Sequence, residues 1–305
     1  MKIFKRIMLG LAATFAGLAI VCFVAAFCMG LTPQKFEEMM FDNTFHYASV
    51  GGKLTFMDPD GYVGGEGHHA LERNYSNIEI DYEQGELEIY YGDVQNIEIH
   101  NKDVRNFGYS ESEDAIEIWG GTQMDIEDNF EPKLTIILPY GTVYENITIK
   151  LGGCQAKIDG LLADKVVIEM DAGQTESADM VAERLEVIVG AGQANFTNLA
   201  VGDLEMEVGV GEADVQLCGC ESDYNYDIEC GIGEVVVGNK SYGGMGAEQN
   251  ISNPGANCKM DIECGIGQVC VKFSESKSDA VNCTEENCQI KWHHHNNHGN
   301  GHHDE

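Results

Sequence analysis

The chain has 305 residues, long enough to bury a sizeable core in one large domain or two modest ones. Its 18 Lys and Arg stand against 51 Asp and Glu, a formal net charge of -33 that repels phosphate backbones and argues against nucleic acid as a partner. With 36 glycines and only 5 prolines, the composition suits many tight turns between short strands rather than a disordered linker.

In chain order, residues 1–6 read "MKIFKR", a basic flank, and residues 7–29 run "IMLGLAATFAGLAIVCFVAAFCM" with no charged side chain. At about 1.5 Å per residue such a helix crosses a hydrocarbon core of roughly 30 Å, and the basic flank assigns its N-terminus to the cytoplasm. A cleaved signal peptide is the rival reading, but its apolar region is usually shorter and "FVAAF" makes a poor cleavage site. We therefore expect a single-pass membrane protein. Its parts are the cytoplasmic flank (1–6), a transmembrane helix (7–29), a juxtamembrane segment (30–75), an extracellular β-repeat domain (76–275) and a Cys- and His-rich flexible tail (276–305). His68 and His69, in "GEGHHAL", read as a loop feature rather than a ligand set.

Next, "NIEIDYEQGELEIYYGDVQNIEIHNK" alternates apolar and acidic residues around Gly85, and "DAIEIWGG" and "KLTIILPYG" add strands. This half reads as β without a strict period. From residue 147 a repeat emerges: "ITIKLGGCQAKI", "VVIEMDAGQTES", "LEVIVGAGQANF", "LEMEVGVGEADV", "YDIECGIGEVVV" and "MDIECGIGQVCV". The turn positions are Cys154, Gly173, Gly192, Gly211, Gly233 and Gly267, at successive spacings of 19, 19, 19, 22 and 34. The last gap holds "GNKSYGGMGAEQNISNPGANC", with the glycine and asparagine content of a surface loop.

Alternation along a strand assigns faces. Pairs such as Ile147 and Ile149, Leu185 and Val187, and Tyr226 and Ile228 point inward, while Glu186, Glu205, Glu207, Asp227, Glu229, Asp261 and Glu263 belong to the solvated face. After every turn comes Gln or Glu: Gln155, Gln174, Gln193, Glu212, Glu234 and Gln268. Each copy is strand, tight turn, strand and a second polar turn. A unit near twenty residues cannot bury its own apolar face, so copies must stack. In a β-solenoid each copy is one lap and equivalent residues lie about 4.8 Å apart; in an antiparallel meander they lie nearly 10 Å apart. The expected fold class is all-β: a solenoid of about 19-residue two-strand repeats preceded by irregular strands, with a β-sandwich or meander as alternatives. Cys230 and Cys264 hold the same inward position, a candidate disulfide if their copies are neighbours.

The stretch "VGAGQANF" begins like a nucleotide-binding turn, but a phosphate cradle needs a helix after its glycines, and the copies continue as strands. No cofactor is required by any motif. The tail "HHHNNHGNGHHDE" supplies His293, His294, His295, His298, His302 and His303, imidazoles suited to zinc or nickel. Nine of the 11 cysteines lie outside the apolar segment, and neither "CGC" nor "CTEENC" has the paired spacing of a zinc ribbon.

The segment "GELEIYYGDVQNIEIH", the strand "LTIILP" and the turns "VGAGQ", "VGVGE", "CGIGE" and "CGIGQ" resemble the bacterial "putative adhesin" family, cell-surface domains of unknown function with β-strand repeats. The resemblance spans about Ile78 to Phe273. It implies an N-terminal anchor in the bacterial cell membrane and an extracellular β-repeat domain, and brings no catalytic residues. No nucleophile with its base and no carboxylate pair stands out among the repeats. The expected function is therefore non-enzymatic adhesion or interaction with an extracellular protein or surface ligand. An envelope-stress sensor or regulator, metal-responsive through the tail, is the alternative.

Overall fold

The computed structural model describes residues 47–50, 53–56, 67–104, 106–121, 131–274, 282–284 and 287–289. The expected transmembrane helix at 7–29 and the six tail histidines lie outside them. Among the described residues no helix is long and apolar enough to cross a membrane. The chain divides into two units. The first contains one hairpin, β1 (Tyr47–Val50) and β2 (Lys53–Phe56). The second, from Asp58 onward, contains all the other strands.

In the second unit, β3 (Gly67–Ala70), β4 (Asn77–Gly92), β5 (Glu98–Lys102), β6 (Gly108–Glu111), β7 (Ala115–Gly120) and β8 (Lys133–Pro139) form the N-terminal part. The repeats form β9 (Tyr144–Asp159), β10 (Leu162–Ala178), the long β11 (Val181–Cys218), β12 (Tyr224–Val237) and β15 (Cys258–Ser274). Between the last two lie β13 (Lys240–Gly243) and β14 (Ala247–Ile251); β16 (Asn282–Thr284) and β17 (Asn287–Gln289) make a final hairpin.

The repeats pair side by side, parallel and in the register of their turns. Ile147 lies opposite Val166, and Val166 opposite Leu185, so each copy is displaced from the last by its 19-residue period. The turn residues stack in one column. A Cβ added at Gly192 would lie 2.1 Å from the carbonyl oxygen of Gly173, and one at Gly211 would lie 1.9 Å from that of Gly192. Gly173, Gly192 and Gly211 have φ of +134°, +146° and +148°, a region that L side chains rarely adopt. Cys154 fills the column without a positive φ, its side chain turned inward and its Sγ 2.9 Å from the carbonyl oxygen of Tyr82. In the first, second, third and fifth copies the second turn falls on Gly160, Asp179, Asn198 and Gly238, all at positive φ. Asp and Asn tolerate this conformation, and the Asn198 amide donates to the Asp179 carboxylate of the preceding copy.

Two features depart from the sequence reading. The N-terminal half is in register with the repeats: Ile78 pairs with Ile147 and Gly85 with Cys154, so β4 is a seventh copy. Beyond it, β7 pairs with the first half of β4 and β8 with the second, both parallel. The other departure is the stacking order, β12-β15-β11-β10-β9-β4. The last copy lies between the fourth and fifth, with Met260 opposite both Leu204 and Tyr226. The segment read as a surface loop supplies β13 and β14, which pair antiparallel with the outer edge of β12. At the other end β5 pairs antiparallel with β8, β3 with β5, and β6 with β7. Antiparallel strands at both ends keep the parallel edges from pairing with other chains.

The inward residues form continuous apolar columns. Ile80, Ile149, Ile168 and Val187 neighbour one another, as do Met206, Ile262 and Ile228, and all are buried. Each such side chain contributes about 1.5–3 kcal/mol on burial. Tyr82, Tyr144, Phe196, Tyr224 and Tyr226 fill the wider parts of the core. On the outer face of β4, half-buried Asp81 has its carboxyl pushed up to about 6, first by burial and then by the charge of Glu83, with Lys150 opposing.

Gly192→Ala should lower stability by about 2–4 kcal/mol, because both the conformation and the space are wrong. Gly153→Ala, at the position of Ala172 and Ala191 in the next copies, has its nearest atom 3.9 Å away and should leave the thermal midpoint unchanged. Asp81 gives a pH test. Its raised folded pKa means that the folded state holds the proton more tightly, so stability is lost as pH rises from about 4 to about 6. After discounting for partial exposure, Asp81→Asn should raise stability by about 1 kcal/mol at pH 7.5 and change nothing at pH 4, read from thermal melts at the two pH values.

Candidate interaction surface

The turn column carries a second column beside it, formed by the residue just before each turn. In stacking order this column runs Gln84, Gly153, Ala172, Ala191, Val210, Ile266 and Ile232. From Gly153 to Ile232 these positions are exposed at the corner. The column grows larger and more apolar towards β12. Val210 is 51% exposed, Ile266 51% and Ile232 62%. The amides of Gly244 and Gly246 donate to the carbonyls of Gly233 and Gly231 at 3.3 and 2.9 Å, which brings Met245 alongside Ile232. Met245 is 90% exposed. Three large apolar side chains therefore stand on successive strands, and Met245, in the turn between β13 and β14, continues the row into a ridge about 15 Å long at the sheet spacing.

Carboxylates flank the ridge on both sides. On one side Glu207, Glu263, Glu229 and Glu248 are successive register partners, with Glu205, Asp261 and Asp227 one pleat further out. On the other side run Glu212, Gln268 and Glu234, and Gln268 donates to Glu234 at 3.1 Å. Burial and then the charges of Glu229 and Glu207 push the Glu263 carboxyl up. Burial, Asp227 and Glu205 do the same to Asp261. Each of these two is the middle member of a row of acids. Arg184 reaches Glu205 at 2.8 Å, and Lys272 reaches Asp214 at 3.3 Å.

The face that follows the turns is polar. Gln155, Gln174 and Gln193 are adjacent, and Gln174 donates to Gln193 at 3.4 Å. Two open grooves beside them measure about 180 and 230 Å³. That is below the roughly 300–1,000 Å³ of small-molecule sites, so this face suits surface contact better than capture of a small ligand.

The turn residues predicted from sequence come together in one column, and Cys230 and Cys264 are direct cross-strand partners. Both are buried thiols with no disulfide between them, and burial, then Cys230, pushes the Cys264 thiol up to about 11. His68 and His69 belong to strand β3 and not to a loop. Their side chains diverge: His69 packs against Phe107 and Tyr109, while His68 faces solvent opposite His100. Glu98 accepts hydrogen bonds from His68 at 3.1 Å and His100 at 3.4 Å, and the His68 bond is the main influence holding its carboxyl below the usual range. No sequence signal near "GEGHHAL" announces this cluster, since His68 lies 30 residues from Glu98.

Residues 178–238 match the family model described as the N-terminal domain of toast_rack, DUF2154. No curated protein matches the chain. Among solved structures, a "putative cell adhesion protein" from Clostridium sporogenes is similar over 69% of this chain and 100% of its own, at 16% identity and a TM-score of 0.42. A "putative adhesin" from Bacteroides fragilis is similar over 69% of this chain and 96% of its own, at 10% identity and a TM-score of 0.28. Another from Parabacteroides merdae covers 68% of this chain and 97% of its own, at 12% identity and a TM-score of 0.24. The family match covers the third, fourth and fifth copies of the repeat.

Proposed function

We propose that the chain is a non-enzymatic interaction protein of the bacterial cell surface, held by the apolar segment at 7–29 with its β-domain outside the membrane. We read that domain as a β-solenoid of one lap per copy, a stiff stack that presents the same corner on every lap. The observation that carries the functional reading is the ridge of Val210, Ile266, Ile232 and Met245 between rows of carboxylates. Exposed apolar side chains in an unbroken row mark an interaction site, and the acidic flanks favour a protein partner with an apolar row bordered by Lys and Arg. Apolar contact supplies the affinity. The flanking charge sets the encounter rate and excludes acidic partners.

The test uses full-length protein displayed on cells, with adhesion to surfaces bearing candidate partners scored by flow cytometry. Serine at Ile232, Ile266 and Met245 together should reduce adhesion at least about fivefold at low salt with the fold intact, because all three side chains are largely exposed. Adhesion of the parent should weaken as salt rises from about 0.05 to 0.5 M. Adhesion that ignores both the serine variant and the salt would remove the ridge as the contact surface.

A further inference from the structure

We infer that His68, Glu98 and His100 form a binding site for a divalent transition metal of the zinc type, at the opposite end of the stack from the apolar ridge. The inference is independent of the adhesion reading. Strand register brings the three residues together: β3 and β5 pair antiparallel with His68 opposite His100, and Glu98 lies two residues from His100 on the same face. One potential ligand atom from each residue lies within 4.8 Å of the other two. The imidazole rings are 4.3 Å apart between centroids.

Two distances fit the metal. Zinc takes imidazole nitrogen and carboxylate oxygen at about 2.0–2.2 Å in tetrahedral geometry, which places neighbouring ligand atoms about 3.3 Å apart. The His68 Nε2 to Glu98 Oε2 and His100 Nε2 to Glu98 Oε2 distances are 3.1 and 3.4 Å. A metal entering between them meets two nitrogens and one oxygen after a small shift of the His68 and His100 rings. Each imidazole then carries its proton on Nδ1 and offers the Nε2 lone pair. Two imidazoles with one carboxylate suit zinc, copper or nickel better than calcium or magnesium, which take oxygen ligands.

The site is reachable from solvent, since the His68, Glu98 and His100 side chains are 55%, 26% and 45% exposed. Three protein ligands leave a fourth position for water or for a donor from another molecule. The metal would also cross-link β3, the outermost strand of this end, to β5.

The tail histidines would obscure a simple titration, so the experiment uses the full chain in detergent with His293, His294, His295, His298, His302 and His303 changed to Asn. Zinc is titrated against a chromophoric chelator, and amide hydrogen exchange is followed with and without zinc. The expected result is one zinc per chain and slower exchange in residues 67–70 and 98–102. His68→Ala, Glu98→Gln and His100→Ala should each weaken binding by at least about tenfold. These side chains are partly exposed, so thermal melts should show the variants folded. Failure to bind zinc more tightly than about 100 μM (about -5.5 kcal/mol) would overturn the site. So would undiminished binding in a folded His68→Ala, His100→Ala double variant.

Discussion

The constraint on which the structure depends is the close approach of backbone to backbone at the glycine corner. The carbonyl oxygen of Gly173 lies where a Gly192 side chain would have to go, and the same relation links Gly211 to Gly192, Gly267 to Gly211 and Gly233 to Gly267. A side chain there would collide with its neighbour or force the copies apart. With the copies held at sheet spacing, every other position also stacks on its equivalents. Columns follow from this, and so does the difficulty of columns: whatever chemistry one copy carries at a position, the next copy meets at about 4.8 Å.

That difficulty bears on the order in which the copies stack. The polar residue after the turn is Glu212 in the fourth copy, Glu234 in the fifth and Gln268 in the sixth. Stacking in chain order would set Glu212 against Glu234, two exposed carboxylates about 5 Å apart and roughly 0.8 kcal/mol of repulsion in water. With the sixth copy between them, Gln268 separates the acids and donates to one of them. The rows on the other side gain nothing from the exchange, because Glu205, Asp227 and Asp261 are acidic in any order. Asp261, the residue left in the middle, has its carboxyl raised first by burial and then by Asp227 and Glu205. The order has a mechanical consequence as well. Among the described residues β12 takes its only parallel partner from β15, so β12, β13 and β14 join the stack through the last copy of the repeat.

Much of this was legible because a fixed period writes geometry directly into sequence. Glycines at 173, 192 and 211, the apolar pairs before them and the Gln or Glu after them give the turn, the inward face and the register between adjacent copies. The copy around Gly85 is hard to read from sequence because Gln84 stands where other copies have a small or apolar residue and because it pairs at an offset of 69 residues rather than 19. A faint signal is present, since Glu86 follows Gly85 as Gln174 follows Gly173. The stacking order cannot be read from gaps of 22 and 34, which fix the length of a connection and not the neighbour it reaches. The His68, Glu98 and His100 cluster was invisible for a related reason: it depends on an antiparallel register between two short strands outside the repeat.

The column before the turn separates what folding demands from what it leaves open. The structure accepts glycine at 153, alanine at 172 and 191, valine at 210 and isoleucine at 266 and 232 in equivalent backbone surroundings. At the exposed positions the side chain makes little contact with the core, so the fold gains little from making it large. Large apolar groups there leave hydrocarbon in water and expose a surface that invites association. They occur on three neighbouring copies only where carboxylates border both sides, and Met245 extends the row from a different part of the chain. A folding requirement would act on all copies alike. A row confined to one end, and continued there by an insertion, has the distribution expected of a contact surface.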